Sequence, residues 1–292
     1  MTTTLERTAP PAPAAAPRPA RRRPRRAYPV FRVTMLVLIV LAFVAPIAWM
    51  VLASLKTNVD IYDASKSFVF TPTLDNYGTV LAQSDYPLYI FNSFWIGLWS
   101  TVLSIVLGVP AAYAMSRFAM RRSALVVLLA RVIPGVSLLV PWYYVFSNLR
   151  MVGGYEVMIL SHMFVSLPLI VYIMMSFFDS LPLELEEAGQ VDGLTPIGAF
   201  FRVSLPLSTP GIATAGILAF IFSWNNFMFA LVLSGSATKT LPVAIFDFVA
   251  YASIDWGGLM AASVVVTVPI MVIALFTQKY VVSGLTAGAT KG

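Results

Sequence analysis

The chain has 292 residues, of which 59% are hydrophobic and only 11% are charged. A water-soluble domain of this length cannot cover its surface with so few charged side chains, so the composition indicates an integral membrane protein. The net charge of +6 does not indicate a nucleic-acid-binding protein, because 8 of the 19 basic residues lie in the first 32 positions and most others lie near the ends of apolar segments.

The N-terminal segment, residues 1–32, is rich in proline, alanine and arginine. Such a sequence cannot pack a core, which predicts a disordered basic tail. The apolar run that follows, residues 33–55, contains no charged residue. It is too long for a signal peptide, and no small-residue cleavage site ends it, so it predicts an uncleaved first transmembrane helix.

Five further apolar segments are each about 20 residues long or longer, the length that crosses a bilayer. They are residues 88–116, 123–147, 157–178, 207–234 and 258–278. The sequence therefore predicts an all-α, polytopic membrane protein with six transmembrane helices. Its transmembrane domain covers residues 33–280, and a short tail covers residues 281–292.

The basic residues between these segments predict the orientation of the chain in the membrane. If the N-terminus is cytosolic, the inner segments carry 14 basic residues and the outer segments carry 4. This asymmetry predicts that both termini are cytosolic. Arg131 falls inside the third segment; we expect that this helix begins later and that Arg131 reaches the interface. His162 is expected to pack or to form a hydrogen bond, because no acid lies at membrane depth beside it.

One polar interruption, Glu184 to Pro206, reads ELEEAGQVDGLTPIGAFFRVSLP. Pro182 suits the start of a helix, Gly193 suits a left-handed helix end, and Pro196 suits the start of a second helix. The pattern predicts two short helices around a break. Acidic residues are poor partners for an anionic membrane surface, so this loop, about residues 179–206, favours a groove in another protein.

The spacing within this loop resembles a known motif. Glu187, Ala188 and Gly189 are followed after three residues by Gly193 and after nine more by Val203–Pro206. This resembles the EAA loop of permease subunits in binding-protein-dependent ABC importers, which reads E-A-A, three residues, G, nine residues, I-x-L-P. Glycine at the third position and valine in place of isoleucine depart from that pattern, but the spacing is kept.

Two further stretches resemble the smaller, six-span, maltose-type sugar permeases. They are GLTAGATKG at Gly284–Gly292 and FSWNNFMFAL at Phe222–Leu231. The resemblance covers about residues 32–292 and implies a type I ABC importer permease fold. It also implies a function: translocation of a sugar, such as trehalose or a maltose-type di- or oligosaccharide, from an external binding protein into the cytosol by alternating access.

The resemblance also implies which residues form each site. The loop becomes the coupling helix that contacts the ATPase, through Glu187, Ala188, Gly189, Asp192, Gly193, Leu205 and Pro206. The C-terminal tail supplies a second ATPase contact at Gly288 and Lys291. Trp224, Asn225 and Asn226 have two interpretations. Their indole and amides suit a sugar path, and they equally suit packing between helices.

The resemblance, together with motifs that the sequence lacks, implies the partners and cofactors. It contains no G-x-x-x-x-G-K phosphate loop, so the resemblance implies a non-catalytic subunit whose ATP and Mg²⁺ are bound by a partner ATPase. The absence of cysteine and the single histidine exclude thiolate and multi-histidine metal sites, and we expect no cofactor. The implied partners are a second permease subunit, an ATPase dimer, an extracytoplasmic sugar-binding (lipo)protein and membrane lipid, without nucleic acid.

The resemblance implies an importer subunit in a bacterial plasma membrane, and two other classes of protein are possible from the sequence. An ion-coupled secondary transporter is the alternative, and it predicts intramembrane acids and internal repeats, neither of which is evident. A membrane-embedded enzyme predicts clustered acids or histidines near one interface. The only acid cluster in the sequence is the EAA-like loop.

Overall fold

The computed structural model describes residues 27–82, 85–249 and 254–286. Within these ranges the chain is helical, and the only β-type pairing is an isolated bridge between Val249 and Ile254. The predicted all-α fold class is confirmed. Residues 1–26 of the predicted basic tail, and residues 287–292 of the predicted C-terminal tail, lie outside the described residues.

The helices follow one another closely along the chain. They are α1 (Ala27–Ser54), α2 (Asn58–Tyr62), α3 (Asp75–Ala82), α4 (Tyr86–Arg117), α5 (Arg121–Ala130), α6 (Leu139–Asn148), α7 (Tyr155–Ser180), α8 (Glu184–Val191), α9 (Pro196–Ala199), α10 (Leu205–Leu207), α11 (Thr209–Trp224), α12 (Met228–Leu233), α13 (Leu241–Ala244) and α14 (Trp256–Thr286). Four turns are 3₁₀-helical, at Ala64–Lys66, Gly135–Leu138, Ser236–Thr238 and Ile245–Phe248, and Phe200–Ser204 is π-helical. The described residues divide into two compact units between Ile47 and Ala48, and the second unit contains all the contacts described below.

Among the described residues, four helices are long and apolar enough to cross a membrane: α1, α4, α7 and α14. A fifth candidate is the bent pair Pro196–Leu207 and Thr209–Trp224, whose two parts meet at 71°. The structure therefore supports a multi-pass membrane protein, but it does not show six continuous spans. The predicted spans at residues 123–147 and 207–234 are the two that do not appear as continuous helices.

Both of these predicted spans are interrupted. The third is split into α5 and α6, because Pro134 stands at the break and cannot donate a helical backbone hydrogen bond. The fifth is split into α11 and α12 by a break at Asn225–Phe227. Hydropathy measures only apolar length, so it did not reveal either interruption.

Helices α4, α7 and α11 form the buried centre of the second unit. Ile96 shares a buried cluster with Met158, and Gly108 lies against Ile170, so α4 and α7 run in the same direction. A second buried cluster joins these three helices through Val109, Ala112, Ile170, Val171, Met174, Phe178, Ala215 and Ala219. Small residues in such an interface let helix backbones approach closely.

Hydrogen bonds between side chains cross the same interface. His162 Nδ1 lies 2.6 Å from the Ser223 hydroxyl, and the Ser100 hydroxyl donates to Ser223 at 3.1 Å. All three residues are buried. The structure thus places His162 in a hydrogen bond between helices, as expected from the sequence.

The first residues of α4 are fastened to the segment between α12 and α14. The Asn92 amide donates to the carbonyls of Ala237 at 3.0 Å and Lys239 at 2.9 Å. Ser93 Oγ accepts a hydrogen bond from the Leu241 backbone at 2.9 Å, and the Tyr86 hydroxyl donates to the Ala244 carbonyl at 3.0 Å. Because buried backbone groups need partners, these side chains fix the segment on α4.

Candidate functional site: the EAA-like loop

The EAA-like loop folds as two short helices around a turn. Helix α8 ends where the Asp192 amide donates to the Ala188 carbonyl at 3.0 Å. Thr195 then begins α9, because its hydroxyl accepts a hydrogen bond from the Gly198 backbone at 3.1 Å and so caps the helix. The π-helical turn and α10 complete the loop and lead into α11.

Two glycines shape this turn for different reasons. Gly193 has a φ of +95°, and a Cβ there would meet no heavy atom within 4 Å. Its backbone conformation, rather than crowding, therefore requires glycine. At Gly189, a Cβ would lie 3.2 Å from side-chain atoms of both Leu194 and Val203. The family pattern has alanine at this position. Glycine here leaves room for the two halves of the loop to pack closely against each other.

Much of the predicted coupling surface is exposed. Glu187, Ala188, Asp192, Gly193 and Pro206 are exposed, whereas Gly189 and Leu205 are partly buried. Large apolar side chains stand beside them, namely Val191 at 87%, Ile197 at 71% and Phe201 at 58% exposure. We call the exposed residues Glu187, Ala188, Val191, Asp192, Gly193, Ile197 and Phe201 the loop surface. Its mixture of apolar and acidic groups suits contact with another protein.

Glu186, next to the motif glutamate, is buried beneath the loop surface. One carboxylate oxygen lies 2.7 Å from an Arg117 nitrogen, and the other accepts a hydrogen bond from the Tyr113 hydroxyl at 2.7 Å. Burial opposes ionisation of Glu186, but the hydrogen bonds from Arg117 and Tyr113 outweigh it and hold the pKa of the carboxyl below its usual value. The carboxylate is therefore charged at neutral pH.

Sequence reasoning did not identify Glu186, Arg117 or Tyr113. Three glutamates lie within the first four positions of α8. The EAA spacing singles out Glu187, but it gives no reason to choose Glu186 rather than Glu184 for a buried contact. A signal was nevertheless present, because Tyr113 and Arg117 are four residues apart and share one face of α4. Tyr113 and Arg117 lie at the end of an apolar helix, on the side of the membrane where the acidic loop is predicted. Such a polar pair is a candidate partner for one of the acids of the loop.

The predicted sugar-path residues lie together at the break between α11 and α12. Trp224 is buried and its indole donates to the Val266 carbonyl at 3.1 Å, which is the packing role that the sequence left open. Asn225 is exposed and donates to the Ile221 carbonyl at 2.9 Å. Asn226 accepts a hydrogen bond from the Phe229 backbone at 3.2 Å and so caps α12.

The remaining predicted contacts cannot be placed. Gly288 and Lys291, the predicted C-terminal ATPase contact, lie outside the described residues. Across the part of the chain that the structure describes, no group of three or more histidine, cysteine, aspartate or glutamate side chains could hold a metal ion.

The fold resembles that of a solved membrane transporter. A chain of a bacterial ABC transporter involved in the import of the acidic polysaccharide alginate superposes with a TM-score of 0.76 at 19% identity. The match covers 90% of this chain and 99% of that chain. At this level of identity the likeness concerns the fold, and it confirms the predicted ABC importer permease fold.

Relatives of known name are more similar in sequence. The sulfoquinovosyl glycerol transport system permease protein SmoH of Agrobacterium fabrum is 39% identical over 85% of this chain and 88% of that protein. The trehalose transport system permease protein SugB of Mycobacterium tuberculosis is 37% identical over 85% of this chain and 92% of that protein. Both are named as permease proteins, in agreement with the resemblance read from the loop.

The family model described as "Binding-protein-dependent transport system inner membrane component" matches residues 104–287. This range includes α7, the whole EAA-like loop and the helices that follow it. Members of this family are components of transport systems rather than catalysts. The chain therefore belongs to the family of inner membrane components of binding-protein-dependent transport systems.

Proposed function

We propose that this chain is the transmembrane permease subunit of an ABC importer that carries a sugar from an external binding protein into the cytosol. The main observation behind the proposal is the exposed loop surface. Its residues lie within a segment that has the EAA spacing, in a chain that belongs to this family. SmoH and SugB, named for sulfoquinovosyl glycerol and trehalose, support a sugar as the solute. We assign a di- or oligosaccharide, such as trehalose or a maltose-type sugar, as its class.

The loop surface is the proposed docking site for the ATPase subunits, which bind ATP and Mg²⁺. Glu187 is exposed and available for a basic residue of the ATPase, and Ala188 beside it allows close approach. Gly193 gives the turn its shape, and Asp192, Leu205 and Pro206 flank the contact. The proposed C-terminal contact at Gly288 and Lys291 adds to it. A second permease subunit and an extracytoplasmic binding protein complete the complex in a bacterial plasma membrane.

Alternating access is the proposed mechanism. ATP binding draws the ATPase subunits together, and their motion carries the two coupling loops of the permease pair with it. The permease pair then opens outward to receive sugar, and hydrolysis returns it to the inward-open state. Broken helices are suited to solute sites because unwound backbone and side-chain amides become available there. Asn225 and Asn226, at such a break, are the proposed sugar-path residues of this chain.

Purification of the tagged chain from its host in mild detergent tests the proposal, with mass spectrometry of the proteins that accompany it. We expect an ATPase and a second permease with the wild-type chain. The double variant Glu187→Arg, Gly193→Leu should lose the ATPase, since it reverses the charge and strains the turn of the loop surface. Gly78→Leu is the matched control, because a Cβ at Gly78 would meet no atom within 4 Å. Recovery of the chain without an ATPase would instead favour a secondary transporter.

Trp224 provides a separate prediction about the sugar path. Trp224→Phe removes the indole hydrogen bond to Val266, so we expect the free energy of unfolding to fall by about 1 kcal/mol. The apparent KM for sugar should stay unchanged, because the indole is buried between helices rather than exposed. Thermal unfolding and uptake assays measure the two quantities. Trp99→Phe, at an exposed position on α4, is the control. A raised KM with an unchanged thermal midpoint would return Trp224 to the sugar path.

A further inference from the structure

Five side chains meet where the EAA-like loop joins the helical bundle, and we call them the Arg117 junction. They are Arg117 and Tyr113 of α4, Phe178 of α7, Glu186 of α8 and Phe200 of the π-helical turn. Each half of the loop therefore contributes one side chain. The two long helices α4 and α7 contribute side chains from their last turns. The coupling assigned above to the loop surface involves none of these residues.

Arg117 connects three elements through separate hydrogen bonds. Its Nε donates to Glu186 at 2.7 Å, and its Nη1 donates to the Phe178 carbonyl at 3.0 Å. Its Nη2 lies 2.7 Å from the same Glu186 oxygen and also donates to the Leu181 carbonyl at 3.4 Å. The planar guanidinium thus binds the loop and the end of α7 at once, which an ammonium group could not do with the same geometry.

Tyr113 links the same carboxylate to the second half of the loop. Its hydroxyl donates to Glu186, and its ring centroid lies 4.6 Å from that of Phe200 and 5.4 Å from that of Phe178. The rings of Tyr113 and Phe178 meet edge to face, a favoured arrangement of aromatic pairs. Both halves of the loop are consequently held to α4 and α7 by polar and aromatic contacts together.

Stability alone does not explain this arrangement. The side chains of Arg117 and Glu186 are only 13% and 4% exposed, and removing two charges from water costs about as much as their attraction returns. Such a pair instead fixes the relative position of the elements that carry it. The pair also cannot form the docking contact, because Glu186 is covered while its neighbour Glu187 is exposed.

We propose that Arg117, Tyr113 and Glu186 are positioning residues that transmit the displacement of the EAA-like loop to α4 and α7. This inference rests on the proposed function, because it requires an ATPase that moves the loop. It adds a distinction between two steps. Residues of the loop surface hold the ATPase, whereas the Arg117 junction converts movement of the held loop into movement of the membrane-spanning helices.

The test uses the complete transporter in proteoliposomes, with the partner permease, the ATPase and the binding protein. Three quantities are measured: ATPase recovered with the complex, ATP hydrolysed, and sugar imported per ATP. In Glu186→Gln, which keeps the shape and removes the charge, we expect unchanged ATPase recovery. Import per ATP should fall about tenfold, a typical size for the loss of coupling between two sites. The control is Glu184→Gln, an exposed acid of the same helix, for which all three quantities should stay at wild-type values.

Tyr113→Phe serves as a second variant because it removes one hydroxyl and keeps the aromatic contacts. We expect it to fold and to lower import per ATP about threefold, a smaller effect than loss of the charged partner. If Glu186→Gln is not recovered from membranes, this variant decides the question. A folded Tyr113→Phe complex with wild-type import per ATP would then overturn the inference.

The remaining outcomes separate this inference from the proposed function. Wild-type import per ATP in a folded Glu186→Gln complex would overturn the positioning role and leave the proposed function standing. Loss of the ATPase from Glu186→Gln, to the extent expected for Glu187→Arg, Gly193→Leu, would also overturn it, because the residue would then act in docking. A wild-type chain that recovers no ATPase would overturn the proposed function itself.

Discussion

Gly193→Leu is expected to lower ATP-driven import about tenfold while the chain still inserts into the membrane at normal levels. The φ of Gly193 is +95°, and a side chain in this left-handed region costs about 1–2 kcal/mol. The turn can avoid this cost only by changing its backbone, which displaces α8 relative to α9. The cost acts against the turn conformation that is proposed to dock, and 1.4 kcal/mol corresponds to about a factor of ten in affinity, so we expect a loss of docking of about this size.

The matched substitution is Gly193→Asn, because asparagine adopts positive φ more readily than other residues with side chains. Uptake of labelled sugar and the ATPase activity of the purified complex measure both variants. We expect import by Gly193→Asn to lie between those of the wild-type and leucine variants. The space around Gly193 is open within this chain, so neither side chain clashes with the rest of the chain. Normal import by Gly193→Leu would contradict the assignment of this turn to coupling.

Gly108→Leu is expected to lower the free energy of unfolding by about 2–3 kcal/mol, through overpacking where α4 meets α7. A Cβ at Gly108 would lie 3.1 Å from Ile170 Cγ2 and 3.5 Å from Val171 Cγ2, so the rest of a leucine side chain has no space. The two helices must then separate. Lipid is as apolar as these side chains, so close packing is a main source of attraction between helices in a membrane.

Thermal unfolding in detergent, followed by the fraction of monodisperse protein, measures this effect. Gly78→Leu is the control, since it adds the same side chain to a helix where a Cβ meets nothing within 4 Å. Adding Ile170→Ala to Gly108→Leu should recover part of the lost stability, because it removes the side chain that the leucine meets. An unchanged thermal midpoint in Gly108→Leu would show that the α4 and α7 contact tolerates a larger residue.

Most of the helical architecture could be predicted from the sequence, since apolar length and turn-forming residues are local properties. Two short helices flank Gly193 as predicted, and α9 begins at Pro196. Helix α8 begins at Glu184, so Pro182 lies just before it rather than in its first turn. The interruptions at Pro134 and at Asn225–Phe227 were missed because both lie inside apolar runs. Pro134 alone did not reveal its break, because prolines inside α4, α7 and α14 leave those helices continuous.

The candidate site was predicted only in part, for a different reason. The predicted coupling residues Glu187, Ala188, Asp192 and Gly193 are part of the exposed loop surface, and they lie close together in sequence. The exposed apolar residues Val191 and Ile197 of that surface were not predicted. The selection of Glu186 depends on Arg117, which lies 69 positions earlier in the chain. The EAA spacing marks Glu187, but no local pattern shows that Glu186 rather than Glu184 is buried, because burial is decided by the helix against which the loop packs. The predicted ATPase and sugar contacts remain predictions.

Helix α4 is held at both of its ends. Its first turns bind the segment at residues 237–244 through Tyr86, Asn92 and Ser93, and its last residue, Arg117, binds the EAA-like loop. With 32 residues and a rise of 1.5 Å per residue, the helix spans about 48 Å. An α-helix is stiff along its axis, so α4 connects these two contacts as one continuous element. We therefore expect a displacement at one end of α4 to reach the other end along the helix axis.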